Sequence, residues 1–334
     1  MSNATDSDLL AGGVRAVLAE AWAEPDVVLD GFTPFGDGHS GETYRAALHA
    51  RRFAGDVVIR VSPAGVAISG PADVGRQGRI MGALNAAGAP APAVVFAESA
   101  PVVDGRAVAI MELVSGENWE SFLSSSSPSA TAQAAVDALH AIQAVPIAGT
   151  AIGDTAPFGL IEEVDRWSVL LSRCPEEIRP AASRLREHLG TRLPEGDTAP
   201  VLAHGDFHYG NLLFGRDRVL AVLDWEIAAL GHPLTDLACL AVASLRRRYR
   251  PDPNPTGGID ISLAELAQRY GARPDDMAWH TSAACLKYAA IIGYNLTLHR
   301  RGKRDDPIYE SLQHTMHRLL EDGTSLLDHG LGEL

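Results

Sequence analysis

The stretch from Val201 to Asp236, VLAHGDFHYGNLLFGRDRVLAVLDWEIAALGHPLTD, constrains the chain more than any other part of it. Two short apolar runs, Asn211-Leu-Leu-Phe and Val219-Leu-Ala-Val-Leu, flank Gly215-Arg-Asp-Arg. That pattern predicts a β-hairpin. A hairpin returns its second end to its first, so Asn211, at the start of one strand, and Asp224, just after the other, are expected side by side. Two hard oxygen ligands at the mouth of a cleft suit Mg²⁺, which binds through a carboxylate or two plus substrate phosphates. Asp206 lies five residues before Asn211 in a glycine-containing loop. A third carboxylate there can accept a hydroxyl proton or orient that hydroxyl for attack.

The rest of the chain supplies a frame for this segment. Residues 7–22 have helical spacing, with Leu10, Val14, Val17 and Leu18 on one face. Strand-like runs follow at 26–35, 42–49 and 56–62, then a helix from Val74 to Ala87 ending at Gly88, then strands at Ala93–Ala97 and Ala107–Leu113. The Ser/Pro segment 124–129 reads as a loop before a helix starting near Ala130. Beyond it the pattern is mainly helical, and Trp279–His299 reads as a buried helix. The fold class expected is α+β, two unequal lobes with a cleft between them: a β-rich N-terminal lobe over residues 1–113, a connector near 113–118, and a mainly helical C-terminal lobe over 114–334.

The chain carries 28 basic and 42 acidic side chains, a formal charge of −14. This balance disfavours nucleic acid as a partner. Residues 1–200 hold 25 acidic and 14 basic side chains, while residues 201–334 hold 17 and 14. The second part is therefore nearly neutral, and it contains two basic clusters, Arg246–Arg248 with Arg250 and Arg300-Arg301 with Lys303-Arg304. Both read as solvated helix ends. Cys174, Cys239 and Cys285 are odd in number and far apart, which argues against a disulfide framework or zinc site and for a reducing cytoplasm. No signal peptide and no membrane span are expected.

Taken in order, His204-Gly-Asp-Phe-His-Tyr-Gly-Asn211, Leu223-Asp-Trp-Glu226 and Gly231-His-Pro-Leu-Thr-Asp236 resemble the aminoglycoside phosphotransferase superfamily, a group related to eukaryotic-type protein kinases and to choline and homoserine kinases. The resemblance implies a two-lobed, protein-kinase-like fold that transfers the γ-phosphate of ATP to a hydroxyl of a small molecule, with Mg²⁺ as cofactor. It makes Asp206 the catalytic base or hydroxyl-orienting residue, and Asn211 and Asp224 the metal ligands. His204 becomes a brace for the loop and Asp236 its hydrogen-bonding anchor. Glu226 stays open between a contact around the metal and a structural role. His208 stays open between approaching the transferred phosphate and a structural role.

The N-terminal part resembles the same family. Phe35-Gly-Asp-Gly-His-Ser-Gly-Glu-Thr-Tyr44 is similar to the family's nucleotide loop, which gives Gly38, Ser40 and Gly41 as phosphate-side residues. Arg60 stands where kinases place a lysine on the α- and β-phosphates. The position that usually holds a glutamate for that cation reads as Gln77, a departure that replaces an ion pair with a neutral hydrogen bond. Ile110–Gly116 resembles the connector whose backbone pairs with adenine, through the carbonyl of Glu112 and the N–H of Val114. Lys287, Tyr288 and Asn295 are candidates to line the acceptor site, with core packing favoured for Tyr288. A polycationic aminoglycoside would favour a strongly acidic helical lobe, so a neutral or anionic hydroxyl compound is the expected acceptor. The alternative is a non-catalytic, kinase-like nucleotide-binding protein, in which the Arg60/Gln77 pair reflects lost turnover.

Overall fold

In the computed structural model, which describes residues 2–36, 41–249 and 257–333, the chain forms two compact units. The first comprises Met1–Gly116 with two later segments, Val145–Asp154 and Leu220–Ile227. Its helices are α1 (Ser2–Trp22) and α2 (Val74–Ala86), and its strands are β1 (Val28–Pro34), β2 (Glu42–His49), β3 (Ala54–Val61), β4 (Val94–Val103) and β5 (Arg106–Glu112). The strands form one antiparallel sheet in the order β1-β2-β3-β5-β4. The apolar stripe of α1, Leu10, Val14, Leu18 and Trp22, is buried in one cluster with Leu48, Ile59 and Ile110 of the sheet. Full burial of such side chains contributes about 1.5–3 kcal/mol each.

All five expected strands and both helices are present, and their ends move for identifiable reasons. β4 runs six residues past Ala97, to Val103, because Asp104 and Gly105 adopt φ of 51° and 71° and turn the chain directly into β5, pairing Val103 with Arg106. An Asp-Gly pair with both residues at positive φ is a favoured two-residue hairpin turn. α2 begins where Asp73 accepts a 2.8 Å hydrogen bond from the Arg76 N–H. It then packs closely on β4: a Cβ on Gly75 would stand 2.3 Å from the Glu98 carbonyl carbon, so only glycine fits.

The second unit comprises Glu117–Ala144, Thr155–Val219 and Ala228–Leu334. It contains α3 (Trp119–Ser125), α4 (Pro128–Gln143), α5 (Leu160–Ser168), α6 (Arg179–Thr191), α7 (Leu234–Arg246), α8 (Leu263–Tyr270), α9 (Pro274–Arg300), α10 (Ile308–Ser311) and α11 (Gln313–His329). The 27-residue α9 is its axis, buried from Met277 through most of its length, and α5, α6, α7 and α11 pack around it. The Ser/Pro loop is shorter than expected. α3 runs into it as far as Ser125, and α4 starts at Pro128 because Ser127 caps it, accepting a 3.1 Å bond from Ala130 N–H.

Both strands of the expected hairpin form, β7 (Leu212–Phe214) and β8 (Val219–Val222), with the turn closed by a 2.7 Å bond from Gly215 N–H to the Arg218 carbonyl. A further pair, β6 (Val201–Ala203) with β9 (Ala229–Gly231), brackets the segment. The basic clusters need one correction: Arg246 is 3% exposed and is not solvated, whereas Arg247, Arg248, Arg300 and Arg301 are exposed. Arg250 lies outside the described residues. Among the described residues, no helix is long and apolar enough to cross a membrane.

Candidate active site

The loop after β6 is held from below. Asp236, in the first turn of α7 and fully buried, accepts hydrogen bonds from His204 N–H at 2.7 Å and Gly205 N–H at 2.8 Å. His204 Nδ1 in turn accepts from Asp206 N–H at 3.1 Å. Gly205 sits at φ +86°, a left-handed turn that a side chain resists. Phe207 and Tyr209 are 0% exposed and anchor the loop from the core side. Asp206 and His208, alternating with them, come together instead, His208 Nε2 lying 3.4 Å from Asp206 Oδ2. The Asn211 amide nitrogen donates to the Asp206 carbonyl at 3.0 Å. The bracing expected of His204 and the anchoring expected of Asp236 are therefore visible as hydrogen bonds.

α9 completes this cluster. The Tyr288 hydroxyl donates to Asp206 Oδ1 at 2.6 Å, and the Lys287 ammonium donates to the Gly205 carbonyl. Lys287 also lies 4.9 Å from the Trp167 ring centre. Tyr288 is thus not simply core packing, which corrects the sequence reading. Asn295 does not join the site. Its side chain accepts from Arg304 at 3.2 Å, about two helical turns along α9 from Tyr288. The Asp206 side chain keeps 31% of its surface. Its desolvation pushes its carboxyl up, but His208, the Lys287 charge and the Tyr288 hydroxyl more than offset that and hold it well below the usual carboxylate range. Burial dominates at Asp236, where it pushes the carboxyl up despite the two backbone donors.

The first unit gathers a second set. Arg60, on β3, donates from one nitrogen, Nη1, to Gln77 Oε1 at 2.9 Å and to Asp224 Oδ1 at 3.2 Å. Gln77 is 1% exposed and fixed from its other end by a 2.8 Å bond to the Pro71 carbonyl. Asp224 adopts φ +66°, uncommon for a non-glycine residue. Its segment is pinned by Val222 N–H to the Pro90 carbonyl and by the buried Trp225 ring N–H to the Val222 carbonyl, each at 2.9 Å. Glu226 is half-buried two residues further on. The Arg60–Gln77 bond is the one anticipated. The Arg60–Asp224 pair was not.

Of the nucleotide-loop residues, Gly38 and Ser40 lie outside the described residues. Gly41 is described, and a Cβ there would stand 2.9 Å from the Val61 carbonyl oxygen, so the chain passes β3 closely. In the connector, the N–H groups of Glu112 and Leu113 bond to the carbonyls of Ala93 and Asp56, each at 2.9 Å. Among the described residues no three His, Cys, Asp or Glu side chains cluster as a metal-ligand set. The carboxylate of Asp224, in the first unit, and the amide oxygen of Asn211, in the second, are each hard donors of the kind Mg²⁺ takes.

Comparison with known proteins decides the family. The profile described as "Phosphotransferase enzyme family" matches residues 31–279, most of the chain, and includes Arg60, Gln77, Asp206, Asn211, Asp224 and Asp236, whereas Lys287 and Tyr288 lie beyond it. The chain belongs to the phosphotransferase enzyme family. Its sheet-bearing first unit and helical second unit have the kinase-like architecture of solved family structures. A protein of Ralstonia eutropha JMP134, provisionally named an aminoglycoside phosphotransferase, matches at TM-score 0.74 and 21% identity over 96% of this chain and 98% of that one. The aminoglycoside phosphotransferase APH(4)-Ia, as a thermostable mutant in ternary complex with ADP and hygromycin B, matches at TM-score 0.63 and 15% identity over 93% and 99%. Among curated proteins, human Acyl-CoA dehydrogenase family member 11 is 33% identical over 193 residues, 54% of this chain. The phosphotransferase chain spans about a quarter of that relative's length, 24%.

The bonds of Tyr288 and Lys287 to the Asp206 loop are what sequence reasoning did not foresee. The signal was present: a lysine and a tyrosine in the middle of an apolar helix must each bury a polar head, and such heads find partners.

Proposed function

We propose that the chain transfers the γ-phosphoryl group of ATP to a hydroxyl of a small molecule, with Asp206 receiving that hydroxyl. The observation that carries this reading is the setting of Asp206, whose carboxylate receives the Tyr288 hydroxyl at 2.6 Å and faces His208 at 3.4 Å on a loop anchored by Asp236. The Tyr288 hydroxyl occupies Oδ1, so an acceptor hydroxyl would approach Oδ2, which it would share with His208 Nε2 at 3.4 Å. An ionised carboxylate is a weak base. Its contribution is to orient the hydroxyl and to take the proton late, as bonding to phosphorus advances. Asp236 and His204 fix the loop so that this orientation is preset. Arg60, supported by Gln77, supplies positive charge for the nucleotide's phosphates, and Glu112 and Val114 offer backbone groups to adenine. Asn211 and Asp224 are the proposed Mg²⁺ ligands. When bound, that ion would supply neutralising charge on the phosphates.

The name of the curated relatives brings one acceptor class forward, a hydroxyl on a compound of the acyl-CoA type. The near-neutral charge of residues 201–334 fits such an acceptor better than a polycation. A test is a library of hydroxyl compounds, including hydroxyacyl-CoA thioesters, choline and hygromycin B, incubated with Mg²⁺ and ATP and read by mass spectrometry. The reading expects one class to gain the mass of one phosphate in a manner lost in Asp206→Asn. Phosphate gain that survives Asp206→Asn would contradict it.

A further inference from the structure

A pocket in the second unit opens beside the loop that carries Asp206. α5, α7 and α9 wall it, and Leu160, Val164, Trp167, Trp279 and Ala284 are among its apolar lining. Lys287 and Cys239 also line it, and both touch the Gly205 carbonyl, one residue before Asp206. Its free volume is about 30 Å³. One water needs roughly 10–15 Å³, so the pocket accepts a group of two or three heavy atoms without rearrangement.

The charges around it are already engaged. Glu163 accepts from the Trp167 ring N–H at 2.7 Å and pairs with Arg166 at 3.4 Å. Of the residues that line the pocket, a polycation would meet that one satisfied carboxylate and the ammonium of Lys287, with Asp206, Asp236 and Asp276 behind the lining. One polar group stands apart. His280 lines the pocket, is only 3% exposed, and its Nε2 has no hydrogen-bond partner among the described residues. His232 stacks on it with ring centres 4.2 Å apart. Burial, reinforced by His232, holds the His280 imidazole well below the usual histidine range and so neutral. A buried polar atom without a partner costs about 1–3 kcal/mol, a cost that a bound oxygen would relieve.

We propose that this pocket selects the acceptor by taking a compact apolar group of two or three carbons whose adjoining oxygen hydrogen-bonds His280. The inference rests on the phosphotransferase reading and deepens it: the acceptor is a hydroxyl compound with a short apolar branch or chain, and bulky polycations are excluded by size and charge.

Saturation-transfer NMR on the full chain tests this with propan-1-ol, 1-chloropropane and kanamycin as probes. The expected result is transfer to the alkyl protons of propan-1-ol, weaker transfer to 1-chloropropane, none to kanamycin, and loss of the propan-1-ol signal in Ala284→Phe and in the milder Ala283→Leu, both at lining positions. Circular dichroism identifies which filled variants fold. No transfer in the wild type, or undiminished transfer in a folded filled variant, overturns the pocket assignment. Equal response to 1-chloropropane overturns the part given to His280. Calorimetry of Mg²⁺–ATP on the same sample separates the two ideas. ATP binding without a propan-1-ol response defeats the pocket alone, and a propan-1-ol response without ATP binding defeats the phosphotransferase reading alone.

Discussion

The Tyr288 hydroxyl donates a 2.6 Å hydrogen bond to Oδ1 of Asp206, tying the long axial helix of the second unit to the loop that bears the carboxylate. A donor at that distance from an ionised oxygen is a charge-assisted bond, worth about 1.5–3 kcal/mol. Tyr288→Phe should therefore raise the proton affinity of Asp206 by roughly 1–2 pH units. The acid limb of the kcat/KM profile should move to higher pH by that amount, with ATP affinity unchanged. An acid limb that stays in place would show that the bond does not reach the reacting state.

Asp236 anchors two backbone N–H groups at once. An asparagine offers one oxygen and turns an NH₂ toward the second donor, leaving a buried N–H unpaired. Asp236→Asn should lose about 1–3 kcal/mol of stability in urea unfolding and should depress turnover more than nucleotide binding. Unchanged stability would mean that the loop has other support.

The pH dependence of folding follows from Asp206. Its folded proton affinity is depressed, so its contribution to stability is present above the unfolded carboxylate value near 3.9 and is lost as pH falls below it. Asp206→Asn should therefore flatten the acid side of the stability curve below about pH 4, measured by denaturant titration at a series of pH values. An unaltered curve would contradict the ionised state assigned to this carboxyl.

Arg60 shares one nitrogen between Gln77 and Asp224. The anion that seemed missing when Gln77 replaced the customary glutamate is thus supplied by Asp224. Gln77→Glu should not raise turnover, because a second carboxylate would compete for the same guanidinium and repel Asp224. A double-mutant cycle across Arg60 and Asp224 should give coupling of about 0.2–1 kcal/mol, as for a partly exposed pair. Zero coupling here, with strong coupling between Arg60 and Gln77, would reverse that ranking.

The α+β order was legible because its signals are local. Leu10, Val14 and Leu18 have helical spacing, and Val57 and Ile59 alternate with Val58 and Arg60. Asp206, Asn211 and Asp224 could be singled out because glycine turns and short apolar runs fix where such residues fall along the chain. Tyr288 meeting Asp206 was not legible, since 82 residues separate them and only the packing of α9 beneath the loop joins them. The Arg60–Asp224 pair, 164 residues apart, escaped for the same reason. The β4 extension was misjudged on a local signal that was available, the Asp104-Gly105 turn.

The most direct test of the account compares Asp206→Asn with the wild type by calorimetry for Mg²⁺–ATP and by phosphoryl transfer, or slow ATP hydrolysis where no acceptor is supplied. The account predicts ATP affinity close to that of the wild type and turnover lower by about 10²–10⁴-fold. A variant that transfers phosphate at the wild-type rate would contradict it.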